Sequence, residues 1–149
     1  MKDENDGFNE SELIGRNKFN EWITTNCNIC HKITFSERKY SCWDVAFLSG
    51  DTRVVVEIKD RKLNHNEYWN WIGEKGKLDN LQNLKKGGRI DVILYFNSYR
   101  DNHVRIWDIT EHEPFITYKK LLPKTTDGVT IKILKLVYDL NNDDSKLYI

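Results

Sequence analysis

The chain is poor in proline and cysteine, with two and three in 149 residues, and its 23 basic and 23 acidic residues cancel to a net charge of zero. The cancellation excludes a whole-chain polycation that binds nucleic acid or membranes indiscriminately. No stretch approaches the ~20 apolar residues of a membrane-spanning helix. The start, Met-Lys-Asp-Glu-Asn-Asp-Gly, lacks the apolar segment of a signal peptide, so the expected location is cytoplasmic. No internal repeat and no low-complexity segment is present. What remains is 39% hydrophobic and 12% aromatic, enough for one domain with its own core and no need of disulfides. Residues 1–9 read as frayed. The abundance of Asn, Lys and Ile points to an AT-rich coding source such as a phage or a low-GC bacterium.

The few cysteines cluster. Cys27-Asn28-Ile29-Cys30-His31 has the spacing of c-type haem attachment, but attachment needs export and nothing directs export. Cys27, Cys30, His31 and Cys42 could supply a zinc site, yet adjacent Cys30 and His31 point to opposite faces of a strand. The preferred reading is small, half-buried cysteines in a reduced protein.

Two apolar runs carry the chemistry. Tyr40 to Leu48 and Arg53 to Lys59 flank Ser49-Gly50-Asp51-Thr52, a tetrad suited to a tight turn with Gly50 at positive φ. A hairpin closed there pairs residues whose numbers sum to 101, which sets Asp44 opposite Glu57 with Cβ atoms roughly 5 Å apart. Strand alternation puts Lys59 on the face of Glu57 and sends Val56 and Ile58 to the other. Like charges paired across a ladder repel, so the pair calls for a cation, and oxygen ligands select Mg²⁺, Mn²⁺ or Ca²⁺ over zinc. A solvated hairpin face with a Glu–Lys pair is the bland alternative.

Asp44 in one strand and Glu57-Ile58-Lys59 in the next resemble the PD-(D/E)XK nuclease superfamily, with Trp43 where the family name has Pro. The resemblance spans about residues 10–97. It implies an α/β fold with a restriction-endonuclease-like core, a central mixed sheet flanked by helices. It also implies Mg²⁺ held by Asp44, Glu57 and the Ile58 backbone carbonyl, Mn²⁺ as a substitute, and Lys59 serving the attacking water. The implied reaction is hydrolysis of DNA phosphodiesters, and because one site cuts one strand, such domains often cut duplex or branched DNA as homodimers. The rivals are a non-catalytic nucleic-acid-binding or adaptor protein of the same fold, and a structural protein whose hairpin charges are surface ornament.

Many members of that superfamily carry a further acid on the first helix. That helix is expected over Glu12–Thr24 with Ser11 as N-cap, its stripe running through Glu12, Gly15 and Arg16, Phe19, and Trp22 and Ile23. Glu12 is the candidate third site acid, set against a simple first-turn acid favourable to the helix dipole. Lys77, paired with Glu74 at i, i+3, is a candidate for positioning phosphate or water, set against an ordinary surface lysine.

Charge is unevenly spread. Residues 1–12 carry five acids and one Lys, whereas residues 53–90 carry nine basic and five acidic residues. Arg61, Lys62, Lys75, Lys85 and Lys86 are therefore the candidate phosphate contacts. His65 and His112 show no partner at a telling spacing, and Trp69, Trp71 and Trp107 read as core or rim. Strands are expected at 28–35, 90–97, 103–109 and 130–133, with a turn at Ser36–Lys39. A helical segment is expected over 66–86, which Gly73 and Gly76 could break into two pieces, closed by Gly87-Gly88. Glu111–Asp127, broken by Pro114 and Pro123, gives no clear pattern.

Overall fold

The computed structural model describes residues 9–37, 41–111, 117–123 and 132–149. In chain order these form α1 (Glu10–Asn26), β1 (Cys30–Phe35), β2 (Val45–Ser49), β3 (Thr52–Arg61), β4 (Asn70–Glu74), α2 (Lys75–Lys86), β5 (Val92–Tyr99), β6 (Val104–Asp108), β7 (Thr117–Pro123), β8 (Lys132–Asn141) and β9 (Lys146–Tyr148). Tyr40, Arg38 and Lys39, His112, Pro114, and Thr130 and Ile131 lie outside the described residues, as do residues 1–8 of the segment expected to be frayed.

The fold is α/β. Six strands form a mixed sheet in the order β1-β2-β3-β5-β6-β9, in which only β3 and β5 run parallel. β4, β8 and β7 make a separate antiparallel sheet. No helix among the described residues is long and apolar enough to cross a membrane.

Period-two alternation along β3 divides the core. Val54, Val56 and Ile58 point to one face of the large sheet, where they bury with Phe19 and Ile23 of α1, Phe47 and Phe96. Phe19 is fully buried, its ring 5.2 Å from Phe96 and 6.1 Å from Phe47. On the other face Val55 packs with Trp71, Leu78, Leu81, Tyr95 and Leu140, so α2 and the three-stranded sheet together cover it. The odd-numbered residues of β3 lie beneath that cover.

Four expectations need correction. The helix expected over 66–86 begins only at Lys75, because 70–74 is strand β4. Its burial alternates, and it bonds to β8 from Asn70↔Asn141 to Glu74↔Val137, a partner remote in sequence that overrides local helical periodicity. Gly73 is no helix breaker: a Cβ there would stand 2.8 Å from Leu78 Cδ1, so the glycine permits close packing of β4 on α2. The first helix is longer than expected and is capped by Asn9, whose side chain accepts from the Glu12 N–H, rather than by Ser11. Cys27 and Cys30 are joined in a disulfide, not reduced. Cys27 caps α1 and Cys30 opens β1, and the intervening turn leaves their Cα atoms 5.7 Å apart, within bonding range. The bridge removes both from any thiolate zinc site; Cys42 stays free.

Candidate active site

The β2–β3 hairpin has the register read from the sequence as far as Val45↔Val56, but the ladder stops there and Asp44 does not pair with Glu57 as expected. Pairs run from Val45↔Val56 to Ser49↔Thr52, and Gly50 turns the chain at φ 59°. Asp44 lies one residue before β2. Its N–H donates to the Val56 carbonyl at 3.0 Å and its own carbonyl accepts from Ser36 N–H at 2.8 Å. This fixes its backbone at the mouth of the ladder. Its Oδ2 accepts the Ile58 N–H at 2.7 Å, across the strand end. A strand residue's N–H and C=O point to the same side, so the Ile58 carbonyl faces the same edge of β3 as the N–H that bonds Asp44, past the end of β2.

Glu57 sits next to this arrangement and is 5% exposed. Burial in the first place, and then the Asp44 carboxylate, push its carboxyl up to about 8, while the ammonium groups of Lys59 and Lys77 pull it back. A hydrogen bond between the Asp44 and Glu57 side chains also favours the protonated form. Glu57 is therefore held protonated beside Asp44, in a place that a cation could occupy.

Lys59 and Lys77 come together at Glu57, one from β3 and one from the first turn of α2. They are joined by two residues the sequence did not single out as site groups. Glu74, the last residue of β4, lies 3.8 Å from Lys77 Nζ and 3.1 Å from Lys135 Nζ of β8. Burial works to raise the Glu74 carboxyl, but Lys77, Lys135 and Lys59 outweigh it and hold it below its usual range. Glu74 was visible as the i, i+3 partner of Lys77. Lys135 gave no local signal, since only the β4–β8 pairing brings it there. Beside this group an open groove of about 680 Å³ runs between α2 and β8, lined by Lys75, Lys77, Asn80 and Lys135 among others.

α1 contributes differently from expectation. It covers the Val56–Ile58 face, opposite the Glu57 face, and Glu12 lies in its first turn with its backbone capped by Asn9. The α1 side chain that approaches the pair is Arg16, whose Nη2 stands 3.8 Å from Asp44 Oδ1 and whose Nη1 donates to the Ser36 carbonyl at 2.7 Å.

The candidate phosphate contacts also divide. Arg61 turns inward, donating to the Ile72 carbonyl at 2.9 Å and to Tyr95 Oη at 3.3 Å, and lies over the Trp71 ring. Its guanidinium braces β4 against the large sheet, which corrects its assignment as a phosphate contact. Lys75 pairs with Asp79 and lies over the Tyr138 ring, and Lys85 reaches Glu111 at 2.6 Å. Lys62 and Lys86 are exposed. Lys75 and Lys77 flank the site at one end of α2, with Lys85 and Lys86 about 15 Å away at the other.

Comparison with family models, with curated proteins and with solved structures returns no match.

Proposed function

We propose that this protein is a Mg²⁺-dependent nuclease that hydrolyses DNA phosphodiester bonds, built on a restriction-endonuclease-like core of the PD-(D/E)XK type. The observation that carries the reading is the meeting of Asp44 with a buried Glu57 at the open end of a hairpin, with Lys59 on the same face. A structural hairpin gains nothing from burying an acid against another acid. The donor set of two carboxylates and the Ile58 carbonyl fits a hard divalent ion better than a thiophilic one. Bound there, Mg²⁺ would polarise a phosphoryl oxygen and lower the pKa of water. The chain's own groups do the rest. Lys59 orients the attacking water, Lys77 and Lys135 offset charge that develops on phosphate oxygens, and Arg16 restrains Asp44.

The test is a panel of linear, nicked, branched and single-stranded DNA, with RNA alongside, incubated with Mg²⁺ and with Mn²⁺. Cleavage of at least one DNA substrate is expected. Binding without cleavage under both ions selects the adaptor reading instead. Cutting both strands of a duplex calls for two sites, and the corresponding homodimer is read from the mass of the DNA complex in solution.

Two further outcomes are expected. Ca²⁺ should bind yet support little cleavage, because it is larger, takes more ligands and holds its geometry loosely. Equal turnover in Ca²⁺ and Mg²⁺ would count against a site that needs octahedral positioning of water.

Charge reversal at Lys75, Lys77, Lys85 or Lys86 should weaken DNA binding across sequences. The slope of log affinity against log salt should shrink by about 1 for each true phosphate contact. Lys77 should also cost rate. Lys85 should show the smallest change, since Glu111 already holds it. Unchanged slopes in all four variants would move the DNA to another face.

A further inference from the structure

We propose that His65, Asp101 and His103 form a binding site for one divalent transition cation of the zinc class, separate from the Asp44–Glu57 site. Among the described residues they are the group of three His, Cys, Asp or Glu side chains whose ligand atoms all lie within 4.8 Å of one another. His65 Nδ1 is 2.6 Å from Asp101 Oδ2, and His103 Nδ1 is 3.3 Å from Asp101 Oδ1. Two ligands at ~2.0–2.1 Å on a tetrahedral ion stand roughly 3.3 Å apart. The His103 pair already has that spacing, although the same Nδ1 lies 3.1 Å from the Asp101 backbone carbonyl, and the His65 pair needs to open by about 0.7 Å, so both rings turn about χ to receive the ion.

The backbone beneath the three side chains is tied down. His65 comes from the segment that leaves β3, and Asp101 and His103 come from the β5–β6 turn. Arg100 N–H donates to the Leu63 carbonyl at 2.9 Å, which clamps the two segments together. Tyr99 N–H donates to the His103 carbonyl at 3.1 Å, closing the turn, and Asn102 turns it at φ 64°. Asp101 further accepts the backbone N–H groups of His65 at 3.2 Å and His103 at 3.4 Å. The carboxylate is thus oriented by its neighbours, as supporting bonds orient a metal ligand.

The two imidazoles stack at 3.8 Å with 19° between their planes, each with its Nδ1 toward the same carboxylate. One cation takes both rings and the carboxylate only once the rings leave this stack, because each ligand nitrogen binds an ion in the plane of its own ring. The side chains are 19%, 25% and 23% exposed, so an ion can enter and keep a solvent-facing position. Two imidazoles and one carboxylate suit Zn²⁺, Co²⁺ or Ni²⁺ rather than Mg²⁺. Filling the site would pin the segment after Arg61 to the end of β5, so the ion would stabilise this end of the parallel strands.

The test uses the full chain, stripped with a chelator and with its disulfide intact. Zn²⁺ is titrated against a chromophoric competitor, and Co²⁺ binding is followed by ligand-field absorption. One equivalent of each is expected, with a rise in melting temperature. His103→Ala and Asp101→Asn should each weaken Zn²⁺ binding by roughly 100-fold or more and abolish the Co²⁺ bands. Asp101→Asn keeps one of the two side-chain oxygens that accept the His65 and His103 backbone N–H groups, and circular dichroism checks the folding of both variants. Glu57→Gln should leave Zn²⁺ affinity unchanged, which separates this site from the nuclease reading. The proposal is overturned if no Zn²⁺ binds, or if affinity stays within about threefold in both variants.

Discussion

Glu57→Gln is expected to lower the rate of DNA cleavage by roughly 100- to 1,000-fold while making the metal-free protein more stable at pH 8.5. The two effects share one origin. The folded protein keeps Glu57 protonated up to about 8, whereas the ordinary carboxyl loses its proton near 4.5. For an acid whose folded pKa is raised, the favourable contribution is fully present below the unfolded value and is lost as pH rises through the folded one. At pH 8.5 the wild-type chain therefore buries a carboxylate against Asp44, and Gln relieves it by about 1–3 kcal/mol. A residue retained for stability would behave in the opposite way. Asp44→Asn should match the loss of activity but gain less stability. Its side-chain oxygen can still accept the Ile58 N–H, but the ion pair with Arg16 is lost. Steady-state cleavage and thermal melts at pH 8.5 check both halves. Wild-type rates in both variants would remove these residues from catalysis.

The part of the site made within one hairpin was legible because its geometry is local. Apolar runs on either side of Gly50 leave one sensible turn, and the turn fixes which residues face each other. The parallel placement of β5 beside β3 also follows from a helix lying between them, although the sequence hid β4 inside that helix. Trp71, Ile72 and Gly73 take strand geometry only because β8 supplies the ladder, and no window around residue 70 contains β8. The same remoteness concealed Lys135 at Glu74, Arg61 in its inward position, and Asp101 and His103 as partners of His65. The disulfide is hidden for another reason. A helix expected to end at Thr24 stops three residues short of the observed cap at Cys27, and that helix end is what brings Cys27 and Cys30 together.

Metal binding at Asp44 and Glu57 should be linked to proton release. The cation needs Glu57 ionised, and the folded apoprotein holds that carboxyl protonated up to about 8. Between pH 6 and 8 the apparent affinity for Mg²⁺ or Mn²⁺ should rise by about tenfold per pH unit and then level off. Calorimetry at pH 7 in buffers of different ionisation heat should count close to one proton released per ion. Lys59→Met sharpens the expectation. Lys59 is the larger of the two cationic influences that pull Glu57 back down, so its loss should move the plateau to higher pH. A phosphate-binding lysine with no hold on Glu57 would leave the plateau in place. Glu57→Gln should flatten the profile, because the group that must lose its proton is gone. An affinity that does not change between pH 6 and 8 in the wild-type protein would mean that the ion binds without displacing the Glu57 proton, and the coupling between burial of Glu57 and the metal would fail.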